Sequence, residues 1–169
     1  MLASIGNAQY YRTIDSLFTT YPLTVPHGQW YLNNGAVVIA VTQNVYSWVT
    51  NAGHNMFTVS EAANGIVMQG DSIIINRKIA VTVVGNFVIT GGATDDFRFR
   101  MTVNGTPASI GPMSVSTNGA GYYLTGASCA YAECDSGTVI KIEVTNVANN
   151  NDPTIRDAAL IITTDYKRK

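Results

Sequence analysis

The sequence predicts an all-β protein: a single jelly-roll β-sandwich carrying an extended N-terminal arm. Three observations predict it. From Gly35 onward, short runs rich in β-branched residues alternate with Gly, Asn and Asp turn signals. No stretch keeps a helical period for three turns. Charge is scarce: 12% of residues are charged and 46% hydrophobic, so 19 Thr and 15 Asn must supply much of the polar surface. A neutral polar surface suits plain β-structure with many turns. It equally suits burial in an assembly, because neutral groups cost less to desolvate than ions.

The first 34 residues read as an arm. Tyr10, Tyr11, Phe18, Tyr21, Trp30 and Tyr31 make the arm aromatic without making it periodic, and Pro22 and Pro26 favour extended backbone. So many rings are expected to anchor the arm on its own barrel, a neighbouring subunit or a larger particle. Residues 35–169 form the predicted jelly-roll domain. Its strands are predicted at 36–41, 45–50, 56–60, 66–69, 72–75, 79–90, 96–104, 109–117, 121–130, 138–147 and 154–163.

Several of these strands show their faces. In 96–104, Phe97, Phe99, Met101 and Val103 alternate with Arg98, Arg100 and Thr102, and an Asn-Gly hairpin signal follows. In 138–147, Ile140, Ile142 and Val144 form a core face, and Lys141 and Glu143 a wet one. Strand 79–90 is apolar on both faces around Gly85, which marks a bulge or a bend. Strand 154–163 also becomes apolar on both faces, as in the middle of a packed structure or against another subunit. Two readings stay open for Arg98 and Arg100. They pair across strands with carboxylates such as Glu143, or they meet an acidic neighbour at an interface.

The search for chemistry is short. His27 and His54 lie in no metal-ligand spacing, and there is no CxxC. Cys129 and Cys134 fall on opposite faces if they share a strand. As the start shows no secretory signal pattern, free thiols are expected. Asp71 and the Asp95-Asp96 pair read as turn aspartates capping backbone amides rather than a calcium cage. No nucleophile elbow or phosphate loop is present, so no catalytic residue, metal or cofactor is assigned. The net charge of −1 gives no reason to expect a nucleic-acid partner, and Lys167, Arg168 and Lys169 read as a solvated tail. No run of 18 apolar residues is present to span a membrane.

The order of motifs over about 45–164 resembles the trimeric jelly roll of the tumour-necrosis-factor and complement-head superfamily. The motifs are FTVSEAANGI, the long apolar IAVTVVGNFVI, the aromatic FRFRMTVNG, the turn Cys134-Asp135-Ser136-Gly137 before TVIKIEV, and a closing AALIITT. The family's usual Gly-Tyr start of the long strand is absent, and its Gly-Asp turn is altered. The resemblance implies a homotrimer without catalysis. Proteins of this fold also occur on phage virions, which leads to the functional expectation. This would be a virion structural protein, assembled in the host cytoplasm, that decorates and cements a phage head by binding the major capsid protein. The alternative is a receptor- or glycan-binding tip of a head or tail fibre.

Overall fold

The computed structural model describes residues 27–32, 35–51, 56–108, 113–117 and 124–164. These residues form thirteen strands: β1 (His27–Leu32), β2 (Val37–Val38), β3 (Ser47–Trp48), β4 (Thr58–Ala63), β5 (Ile66–Gln69), β6 (Ser72–Ile75), β7 (Ile79–Thr90), β8 (Asp96–Val103), β9 (Thr106–Pro107), β10 (Met113–Ser116), β11 (Leu124–Cys134), β12 (Thr138–Asn146) and β13 (Thr154–Thr164). One antiparallel sheet runs β11-β7-β13-β1-β4, with β2 on β13. The other runs β10-β8-β12-β6-β5, with β3 on β12 and β9 on β8. Among the described residues there is no helix, and so none long and apolar enough to cross a membrane.

The alternation read from the sequence decides which side chains fill the space between the sheets. Phe97, Phe99 and Met101 of β8 and Ile140, Ile142 and Val144 of β12 point inward and are buried. Val81, Val83, Phe87 and Ile89 of β7 and Ile155, Leu160 and Ile162 of β13 meet them from the other sheet. Phe87 stacks on Phe99 across the sandwich, with centroids 4.9 Å apart and rings 15° from parallel. Each such ring contributes about 1.5–3 kcal/mol through burial.

The expected boundary after residue 34 does not match this architecture. His27–Leu32 is an interior strand, paired with β13 on one side and β4 on the other. Trp30, expected as an arm anchor, is 0% exposed and belongs to the core. Its indole lies over Gly28, where an added Cβ would come within 2.0 Å of the ring. Tyr31, the next residue, points to the other side of the sheet and is exposed. Tyr10, Tyr11, Phe18 and Tyr21 lie outside the described residues.

Gly85 also acts differently from expectation. The β7 ladder keeps register through it. Instead, a Cβ there would sit 2.9 Å from the Phe87 ring and 3.1 Å from Leu160, so the glycine makes room for packing. The irregularities lie elsewhere, between Ile155 and Asp157 in β13 and between Gln29 and Trp30 in β1. The Asn-Gly and Gly-Asp signals hold. Asn64-Gly65, Gly70-Asp71 and Asn104-Gly105 all have positive φ, the geometry of tight primed turns.

Candidate functional site

Two buried aspartates brace the loops, and they do it by the capping chemistry expected of them. Asp71 accepts from the amides of Met56 at 2.6 Å and Phe57 at 3.2 Å. It also takes the Thr50 hydroxyl at 2.9 Å and the Asn51 amide at 3.3 Å. Asp95 accepts from the Gly92 amide, from Asn151 Nδ2 at 2.9 Å and from Asn146 Nδ2 at 3.2 Å. Burial pushes the Asp95 carboxyl up, but hydrogen bonds from Asn149, Asn151, Gly92 and Asn146 together outweigh it and hold the group below its usual 3.8. Thr117 closes the cluster, its hydroxyl donating to the Gly92 carbonyl at 2.6 Å. Nearby, Asn150 and Asp152 accept from the Gln43 and Val41 amides at 2.7 and 2.8 Å. The turns after β7 and β12 and the segment before β3 therefore form one braced end.

The outer face of the second sheet carries the charge. Arg100, Glu143 and Trp48 share one row across β8, β12 and β3. Arg100 Nε donates to Glu143 Oε2 at 2.7 Å, and the guanidinium carbon lies 3.7 Å from the Tyr46 ring centroid. Lys141 Nζ sits 4.1 Å from the Trp48 ring centroid. Arg98 Nη2 reaches Asp96 Oδ2 at 3.4 Å, and Asp96 also accepts from the Ser114 hydroxyl at 3.1 Å. The cross-strand pairing of Arg100 with Glu143 is present. Arg98 instead turns to a carboxylate of its own strand. All three cations on this face are engaged within the chain.

The outer face of the first sheet is different. Register places Gln29, Ile161, Val84 and Cys129 in one row across β1, β13, β7 and β11. Tyr31, Ala159 and Asn86 form a second row. Thr163, Thr82 and Tyr131 form a third, and Asp157, Val88 and Thr125 a fourth. Among these positions only Asp157 is charged, and at the end of β11 Glu133 follows Tyr131 on the same face. Tyr31, Ile161 and Tyr131 are 42%, 39% and 36% exposed, as large hydrophobic groups in water.

Cys129 and Cys134 both lie in β11, on opposite faces, and neither is bonded. Cys129 is exposed on the neutral face and Cys134 is buried. Burial first, then the charge of Asp135, pushes the Cys134 thiol above its usual 9.0 against a hydrogen bond from Thr138. Among the described residues, no group of three or more His, Cys, Asp or Glu side chains is placed to hold a metal ion. His54 lies outside the described residues.

No family model and no curated protein matches the chain in sequence. Solved structures do match its fold. Murine APRIL at pH 8.5 aligns with a TM-score of 0.55 and 11% identity, covering 81% of this chain and 98% of that one. The globular domain of zebrafish complement 1qA protein aligns at 0.53 and 14%, covering 85% and 99%. The PRD1 vertex protein P5 aligns at 0.53 and 10%, covering 83% and 96%. The fold is therefore a jelly roll of the tumour-necrosis-factor and complement-head type.

Proposed function

We propose that this chain is a non-enzymatic structural protein of a virion, a decoration or cement protein that binds the phage head as a homotrimer and stabilises it. One observation carries the oligomer: the neutral outer face of β11, β7, β13 and β1, with Tyr31, Ile161 and Tyr131 exposed on it. Four strands at ~4.8 Å spacing and about ten residues at ~3.3 Å rise give roughly 600 Å². A stable interface needs about 800 Å² per partner, so in a ring the strand edges and loops beside this face would have to add to the contact. The fold shared with a PRD1 vertex protein supports a place on a virion, formed in the host cytoplasm.

The proposed partner is the major capsid protein. Residues 1–26 hold Tyr10, Tyr11, Phe18 and Tyr21, which act as its anchors in this reading because large aromatic groups dominate interface energetics. The arm ends there, because Trp30 is needed by the core and Tyr31 belongs to the neutral face. Arg98 and Arg100, on the charged outer face, would meet solvent or acidic groups of the shell. The braced loop end supports a second reading, a receptor- or glycan-binding fibre tip, since rigid loops suit recognition.

Co-sedimentation with empty capsids of the parent virus separates the two. The full chain is expected to pellet with the capsids. A chain lacking residues 1–26 is expected to stay trimeric and remain in the supernatant. Undiminished pelleting of the truncated chain would remove the arm from the binding role. A full chain that ignores capsids and binds cells would favour the fibre tip.

A further inference from the structure

Strand register gives the sandwich two unlike ends. His27, the first residue of β1, lies level with Ala63 of β4. Thr164, the last of β13, lies level with Val81, two residues into β7. The turns at 64–65, 76–78, 104–105 and 135–137 gather at this same end. There the Asn76 amide donates to the Gly65 carbonyl at 2.7 Å, the Gly137 amide to the Ile75 carbonyl at 2.8 Å and the Asn104 amide to the Val139 carbonyl at 2.8 Å. The chain before His27 and the chain after Thr164 therefore both leave from this terminal end. β7 is 12 residues long, so the braced end, with Asp95 and Asp152, lies about 36 Å away.

Positive charge gathers at the terminal end. Arg77 and Lys78 are exposed between β6 and β7. Lys78 Nζ reaches Asp135 Oδ1 at 3.6 Å, but the two side chains are 89% and 81% exposed, so the pair is worth little and both ions stay solvated. Arg77 Nη1 donates to the Asn64 carbonyl at 3.4 Å, a long contact with a neutral group. Arg100, by contrast, meets Glu143 at 2.7 Å and lies over the Tyr46 ring. In sequence, Lys167, Arg168 and Lys169 follow within five residues of Thr164. These five cations, half of the chain's 10 Lys and Arg, stand against Glu133, Asp135 and Asp165. The excess is positive, on a chain whose net charge is −1.

Resting on the capsid-binding reading, we propose that the terminal end faces the shell, with Arg77 and Lys78 docking on an acidic patch of the major capsid protein and the braced loops pointing outward. The aromatic groups of residues 1–26 and these cations then act at one contact. Apolar anchors ringed by polar and charged groups are the usual build of an interface. The turn is fixed at both ends by β6 and β7, so its backbone needs little ordering on binding. Complementary charge mainly speeds encounter and fixes orientation, which makes salt the natural probe.

Titrated co-sedimentation of the full chain with empty capsids of the parent virus tests this, at low salt and at ~1 M salt, where the Debye length falls to ~3 Å. Arg77→Glu combined with Lys78→Glu is expected to weaken capsid binding about tenfold or more at low salt and to differ little from wild type at ~1 M. Val38→Glu combined with Val45→Glu puts two anions on exposed positions near the braced end and should bind as the wild type does. Both variants should keep the wild-type mass and far-UV spectrum. Charge reversal at Arg77 and Lys78 that leaves capsid binding unchanged, or braced-end anions that abolish it, overturns the orientation alone. A full chain that does not pellet with capsids overturns the reading beneath it. Equal affinity of the wild type for a double-stranded DNA oligonucleotide, lost in the charge-reversed variant, would make this end a general polyanion site and overturn the acidic-patch assignment.

Discussion

The two outer faces of the sandwich use the same alternation to opposite ends. On the second sheet, Arg100 reaches Glu143 and Tyr46, Lys141 covers Trp48, and Arg98 meets Asp96. Each charge has its partner within the chain, and the rings on that face lie under cations. On the first sheet, Tyr31, Ile161 and Tyr131 stay 42%, 39% and 36% exposed, and the charged groups, Asp157 and Glu133, lie toward the ends of the face. One face is complete as a monomer surface. The other keeps large hydrophobic side chains partly exposed, and is the face that the proposed trimer would cover. Composition alone does not reveal this, because the 12% of charged residues is an average over two unlike faces.

The largest predicted effect breaks the neutral face. Ile161→Arg places a cation at its centre, where three copies would have to desolvate it. The variant is expected to fall from trimer to monomer in light scattering while keeping its far-UV spectrum. Thiol labelling gives the matching readout. Cys129 should react slowly with a maleimide in the wild-type trimer and at least ten times faster in the Ile161→Arg variant, while Cys134 stays unreactive in both. Equal Cys129 rates would mean that the face is uncovered in the wild type.

The next effect concerns the braced end, which belongs to neither face. Asp95→Ala removes the acceptor shared by Gly92, Asn146 and Asn151, and should cost about 2–4 kcal/mol in urea unfolding without changing the trimer. The pH dependence has a defined sign. The folded carboxyl titrates below its usual 3.8, so its stabilisation is fully present above about pH 4. It is lost as the pH falls through the lowered folded value. Asp95→Asn should therefore flatten the acid limb of the stability curve, and an unchanged limb would count against the brace.

The smallest effect tests the charged face. Arg100→Ala should cost about 1 kcal/mol, since the ion pair with Glu143 is only part-buried, and should leave the mass in solution unchanged. Monomerisation by Arg100→Ala would reverse the assignment of the two faces.

Much of this was legible in the sequence. Strands β5, β6 and β7 begin and end where alternation and turn signals put them, and Phe97 and Phe99 announce the core. The turn aspartates were readable because Asp71 and Asp95 each follow glycines at a loop. Strand β1 was not. Its inward positions are Gly28, Trp30 and Leu32, and the glycine leaves a gap in the apolar pattern that the Trp30 ring fills. With Pro26 just before it, six residues of interior strand resemble an irregular arm. Strand β11 runs on to Cys134 rather than ending near Ala130, because its small residues carry little β signal while β7 pairs with it along its whole length. The neutral face was half legible: the two-sided apolar character of 79–90 and 154–163 pointed to it. That Tyr31 and Tyr131 share it depends on non-local register, which no local pattern encodes.

The most direct test of the central claim is the mass of the purified full chain in solution, measured by light scattering at micromolar concentration. The account predicts three times the 18.1 kDa chain, about 54 kDa. A stable monomer at 18.1 kDa would contradict it and leave the neutral face of the first sheet without the partner assigned to it.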